Sequence, residues 1–199
     1  PTYVLELSSF QLETTENLNV EVGVILNLAP DHLDRYKAFD DYANAKFKLL
    51  KMSKNWVINY DDEYLMNYLS SLSCHQTTTG FSLKNDKNNG WHILWNEGLP
   101  QGIGNDQLSI DIQDISLGGL HNYANVMAAC CISDVLAVKE SALRCAIKNY
   151  QSLPHRCALV KEIHGVRYYN DSKATNLPST VAAVSGFLEP KWLILGGVT

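Results

Sequence analysis

Apolar and polar positions along the chain fall into alternating short runs and helical stripes. Val22, Gly23, Val24, Ile25 and Leu26 make a near-continuous run ending at Asn27, the pattern of a strand covered on both faces in a parallel sheet. Phe39, Tyr42, Ala43, Lys46, Phe47 and Leu50 then recur on one stripe, which predicts an amphipathic helix over residues 40–51. Residues 55–59 predict a further strand, and Asp61, Asp62 and Glu63 place acid at the start of a helix reaching Leu72. Residues 77–81, 91–95 and 108–112 predict strands separated by Asn, Asp and Gly clusters, as in hairpins at a sheet edge.

The remaining segments extend the alternation in both directions. Tyr3, Val4 and Leu5 predict the end of a strand that delivers Glu6, Ser8, Ser9 and Gln11 at its tip. Residues 116–122 open a strongly apolar helix over 123–138, and a second helix spans 140–150. Pro154, within Leu153-Pro154-His155-Arg156, argues for an extended joint. Beyond it, residues 158–162 and 166–169 flank His164-Gly165 as a hairpin, followed by a helix over 178–185 and a strand over 192–195. Strand, loop, helix and strand imply a second α/β unit, so the chain divides into residues 1–152 and 153–199.

Composition narrows the class. With 199 residues the chain is long enough to bury a sizeable core, and 46% hydrophobic with 19% charged residues is ordinary for a folded globular protein. A formal net charge of -5 does not suit a nucleic-acid binder, although a local basic pocket for an anionic small molecule is compatible with it. Five cysteines without CxxC spacing suggest neither a disulfide framework nor a zinc site and fit a reducing cytosol. No apolar run approaches the ~20 residues of a membrane span. The chain opens on Pro1 and closes just after the apolar run at 192–195, so both ends are expected to lie inside a longer protein.

The densest polar stretch is Asn170-Asp171-Ser172-Lys173-Ala174-Thr175-Asn176, between a predicted strand and a predicted helix. Such loops bind ligands in α/β folds because the strand end fixes them and the helix start exposes unpaired N–H groups. Glu6 at a strand end suits Mg²⁺, or is simply solvated. Lys46 on an apolar stripe either lays its stem over the core or is functional. Asn122 and Asn125 share one helical turn, so both amides could meet an adenine edge; otherwise one caps the helix and the other is solvated. Carboxylate and imidazole (Glu6, His32) suit a divalent metal, and Arg156 and Lys173 suit phosphates, which predicts a cleft between two α/β units for a nucleotide and a metal. No Gly-rich phosphate loop is present.

Several ordered motifs go further: Glu6-Leu7-Ser8-Ser9-Phe10-Gln11-Leu12, Asp31-His32-Leu33-Asp34-Arg35-Tyr36, Tyr42-Ala43-Asn44-Ala45-Lys46, Gly119-Leu120-His121-Asn122-Tyr123-Ala124-Asn125, Leu153-Pro154-His155-Arg156 and Asn170 to Asn176. Together they resemble the Mur ligases, and within them the D-glutamate-adding branch. The resemblance implies an α/β fold in which residues 1–152 are the later part of a P-loop-type central ATPase domain, its phosphate loop lying upstream. Residues 153–199 would start a Rossmann-like C-terminal domain. The implied activity is ATP-dependent joining of D-glutamate to UDP-N-acetylmuramoyl-L-alanine through an acyl phosphate, in the cytoplasmic synthesis of peptidoglycan precursors, by a monomer that needs two Mg²⁺ ions.

By the same resemblance Glu6 would bind one Mg²⁺, and His32 the other beside Lys46, which would carry a carbamate. Asn122 and Asn125 would face adenine, Arg156 the ATP phosphates and Asp171 the ribose. Lys173 and Thr175 would sit by the acyl phosphate and D-glutamate, and Ser8 and Gln11 by the muramoyl-alanine part. Lys46, Lys173 and His32 would be the catalytic residues. The chain alone is expected to be catalytically silent. A sister ligase, folylpolyglutamate synthase or a nucleotide-binding module without ligase activity are the alternatives. Residues 85–107 match no motif of the family.

Overall fold

The computed structural model describes residues 2–31, 35–72, 77–84, 90–187 and 189–196. Six strands form one mixed sheet in the order β1 (Val20–Ile25), β2 (Ser53–Asn59), β3 (Thr77–Ser82), β4 (Trp91–Asn96), β5 (Leu99–Gly104) and β6 (Ser109–Asp111). The first four run parallel and the last two close the edge as an antiparallel meander. Short α1 (Ser9–Thr14) precedes the sheet, and α2 (Phe39–Lys51) and α3 (Glu63–Ser70) cross over between the first three strands.

Alternation along β2 shows why the sheet is buried on both sides. Trp56 and Ile58 pack with Ala43, Phe47 and Leu50 of α2 and Leu65 of α3, whereas Val57 packs with Phe81, Trp91, Ile93 and the helix α4 (Leu120–Val135). Successive side chains point to opposite faces of a strand, so a strand between two helical layers needs apolar residues at every position. Helix α5 (Glu140–Asn149) completes the second layer through Leu143 and Ile147. Cys130 and Cys131 are fully buried in α4. Burial raises both thiols, Cys131 to about 12, which makes them small core residues and poor nucleophiles at neutral pH.

A separate two-stranded sheet, β7 (Ala158–Ile163) and β8 (Val166–Asn170), joined through His164 and Gly165 at positive φ, is followed by α6 (Leu177–Ser185). Helix α6 rests on α4, which brings this second unit against the first.

The structure corrects the sequence reading at four places. Strands β3 and β4 run parallel, so they are not the hairpin that the turn-forming residues between them suggested. Residues 3–5 and 192–195 are not strands: Val4 is 94% and Ile194 97% exposed, and neither segment pairs with a strand among the described residues. Their apolar composition predicted strands, but a strand needs a partner ladder to satisfy its backbone. Strand β5 was not anticipated, because Pro100, Gly102 and Gly104 are residues that strands disfavour. Among the described residues no helix is long and apolar enough to cross a membrane.

Candidate functional site

A cleft of about 660 Å³ opens between the two units. Helix α4 supplies one wall, with His121, Asn122 and Asn125, and the loops 152–157 and 171–174 supply the other, with Arg156, Cys157, Asp171 and Lys173. Gly119 starts α4 at φ 98, a conformation open chiefly to glycine, and so turns the chain into the helix beside the cleft. The Asn122 side chain donates to Gly118 O at 2.8 Å, which fixes that amide, and Asn125 is exposed one turn on.

The opposite wall is tied together by short-range bonds between two loops distant in sequence. Cys157 N–H donates to Asp171 Oδ1 at 2.9 Å, Lys173 N–H donates to His155 O at 3.1 Å, and Asn170 Nδ2 lies 3.0 Å from His155 Nδ1. His155 and Cys157 flank Arg156 at φ 66 and 46, so the backbone is bent sharply around that guanidinium. Two amides on one wall and two cations with a carboxylate on the other suit a ligand with a heteroaromatic end and an anionic end.

A second cluster lies nearby. Burial lowers the Lys46 amine below the usual lysine range, while the carboxylates of Asp31 and Glu6 act on it in the opposite sense. Its Nζ stands 5.2 Å from the centroid of the Tyr42 ring. Asn176 Nδ2 approaches Asp31 Oδ2 at 3.4 Å, linking this cluster to the second unit. Among the described residues no three His, Cys, Asp or Glu side chains converge as a ready metal cage. Two carboxylates within electrostatic reach of an amine of lowered pKa fit a divalent cation only if that amine carried a carbamate, which would turn the lysine side chain from a cation into an anionic oxygen donor.

The structure therefore brings Asn122, Asn125, Arg156, Asp171 and Lys173 into one cleft, and Glu6 and Lys46 into one electrostatic neighbourhood. His32 lies outside the described residues. Thr175 is exposed and is not part of the cleft wall. Ser8 and Gln11 form a reciprocal cap on α1: Gln11 N–H donates to Ser8 Oγ and Ser8 N–H donates to Gln11 Oε1. Their spacing carries that local signal directly. Sequence reasoning assigned no role to His121, Asn27 or Cys157, all of which line the cleft, and Asp31 stood out only as the first residue of the Asp31–Tyr36 motif. His121 was visible only as part of the Gly-Leu-His-Asn motif.

A mixed sheet between helical layers, with a cleft where a second unit meets it, defines an α/β protein with a cavity of ligand-binding size between the two units. Residues 1–133 match the Mur ligase middle domain, and the chain belongs to the Mur ligase family. It is 36% identical over 197 residues to a UDP-N-acetylmuramoylalanine--D-glutamate ligase of Haemophilus influenzae, covering 98% of this chain and 44% of that protein. The chain thus spans under half the length of that relative. Its fold matches MurF of Acinetobacter baumannii with a TM-score of 0.68 at 20% identity, covering 85% of this chain and 38% of that one. It also matches a MurF ligase of Thermotoga maritima in complex with ADP, with a TM-score of 0.63 at 16% identity, covering 85% and 39%.

Proposed function

We propose that the chain forms the nucleotide-holding part of an ATP-dependent ligase, and that the full-length protein joins D-glutamate to UDP-N-acetylmuramoyl-L-alanine during peptidoglycan precursor synthesis, as a cytoplasmic monomer. The observation that carries this reading is the 36% identity to a D-glutamate ligase across 98% of the chain, which includes both walls of the cleft. The ADP held by the Thermotoga maritima ligase supports a nucleotide as the ligand. In this reading residues 1–152 belong to the central ATP-binding domain and residues 153–199 begin the Rossmann-like C-terminal one.

Each residue then has a chemical task. Asn122 and Asn125 meet adenine, Asp171 the ribose, and Arg156 the phosphates, where a planar guanidinium can grip two oxygens at once. Lys173 and Thr175 steady the acyl phosphate and the incoming amine, and Ser8 and Gln11 border the muramoyl-alanine part. Glu6, His32 and a carbamylated Lys46 would hold two Mg²⁺ ions, and when bound these would offset the charge of the phosphates.

The substrate carboxylate oxygen attacks the γ-phosphorus of ATP and ADP leaves. The neutral amine of D-glutamate then attacks the acyl carbon, and the tetrahedral adduct expels phosphate while the nitrogen loses its proton. Lys173 lowers the barrier by lying where negative charge gathers on the transferred group. A substrate panel tests the assignment: the full-length protein with ATP, Mg²⁺ and UDP-N-acetylmuramoyl-L-alanine should release phosphate with D-glutamate and not with L-lysine or meso-diaminopimelate. Release with either of the latter and none with D-glutamate would overturn it.

A further inference from the structure

His121 occupies the first turn of α4, facing the second unit, and lines the cleft next to Asn122. A glycine from each unit makes room for its ring. A Cβ on Gly119, at the start of α4, would stand 3.2 Å from His121 Cε1, and a Cβ on Gly186, at the end of α6, would stand 3.0 Å from Nδ1. The imidazole is thus a spacer wedged between the two helices that bound the cleft. Its Nδ1 is buried without a hydrogen-bond partner among the described residues, so at that nitrogen the contact with Gly186 is one of shape. Burial keeps the ring toward its neutral form, against the pull of the Asp171 carboxylate and the Ala182 backbone.

The consequence is geometric. Asn122 follows His121 directly on α4, while Asp171, Lys173, Ala182 and Ala183 lie on the second unit's wall of the cleft. Whatever sets the distance from α4 to α6 sets the distance between the amides and the Asp171–Lys173 loop. We propose that His121 is a positioning residue for the nucleotide, its ring fixing how closely α6 and the 170–176 loop approach the amides of α4. The proposal rests on reading the cleft as a nucleotide site.

Its test is a double-mutant cycle in the full-length protein, with ADP affinity measured by calorimetry and KM measured for ATP and for D-glutamate. His121→Ala removes the spacer, and Gly186→Ala presses a methyl on the ring from the other side at a φ of -71 that alanine adopts freely. Each should weaken ADP binding about tenfold and raise KM for ATP, with KM for D-glutamate within about twofold of wild type. The double variant should bind ADP no more weakly than His121→Ala alone, because the methyl then fills space the ring has left. Wild-type ADP affinity in His121→Ala, equal rises in both KM values, or losses that multiply in the double variant would each overturn the proposal. If His121→Ala does not fold, as its melting curve would show, Gly186→Ala decides: a native melting curve with unchanged ADP binding contradicts the spacer. Wild-type protein that binds ADP but ligates nothing would sink the ligase reading while leaving this one standing; failure to bind ADP at all would sink both.

Discussion

Lys46 joins pattern to chemistry at the scale of one residue. Its neighbours on the stripe, Tyr42, Ala43, Phe47 and Leu50, are buried, and that apolar surround is what depresses the amine. A lysine whose folded pKa is lowered sheds its proton at lower pH than in the unfolded chain. Between those two values the unfolded state binds more protons, so stability rises with pH there. Lys46→Met should flatten that rise, which denaturant titrations across alkaline pH will show. For activity, Lys46→Ala in the full-length protein should cut kcat/KM by about a thousandfold or more, and Lys46→Arg should not restore it, since a guanidinium cannot form the carbamate. Ligation by Lys46→Ala at the wild-type rate would remove the carbamate from the account. The position of Lys46 on its stripe was legible from helical periodicity, but its coupling to Asp31 and Glu6 was not, because those residues are distant in sequence and converge only when the sheet is built.

Asp62 shows how elements are pinned together near the cluster. It caps α3, accepting from Leu65 N–H at 2.9 Å, and its other oxygen accepts from Leu28 N–H at 2.6 Å in the loop after β1. Asp62→Ala should destabilise the protein by about 2–3 kcal/mol by losing the cap and stranding the Leu28 N–H, and Asp62→Asn by about half as much. Urea denaturation midpoints would measure both, and equal midpoints for the two variants would contradict the two-bond account. The acidic start of α3 was legible because capping is local. Strand β5 was not, since its Gly and Pro positions conceal a strand that only its neighbours β4 and β6 hold in register. At residues 3–5 and 192–195 the opposite holds: apolar composition signals a strand, and no ladder is present among the described residues to realise it.

For the whole molecule, the two units meet through α4 on α6 and through the Asn176–Asp31 contact. The motifs that carry Asn122, Asn125, Arg156, Asp171 and Lys173 were legible in order along the chain: the amides sit near the start of α4, and Asp171 and Lys173 follow the end of β8, positions that gather at one edge of an α/β fold, whereas Arg156 precedes β7 and joins them through the bonds between its loop and the 170–173 loop. The wedge at His121 was not legible, because it depends on Gly119 and Gly186 facing each other across the interface.

Phosphoryl activation of a carboxylate followed by amide formation leaves its mark on one oxygen atom. UDP-N-acetylmuramoyl-L-alanine labelled with oxygen-18 in its carboxylate would be turned over by the full-length protein with ATP and D-glutamate. One labelled oxygen per turnover should appear in the released inorganic phosphate, because the bridging oxygen of the acyl phosphate leaves with the phosphate. Label recovered in AMP, or unlabelled phosphate released as amide forms, would contradict it.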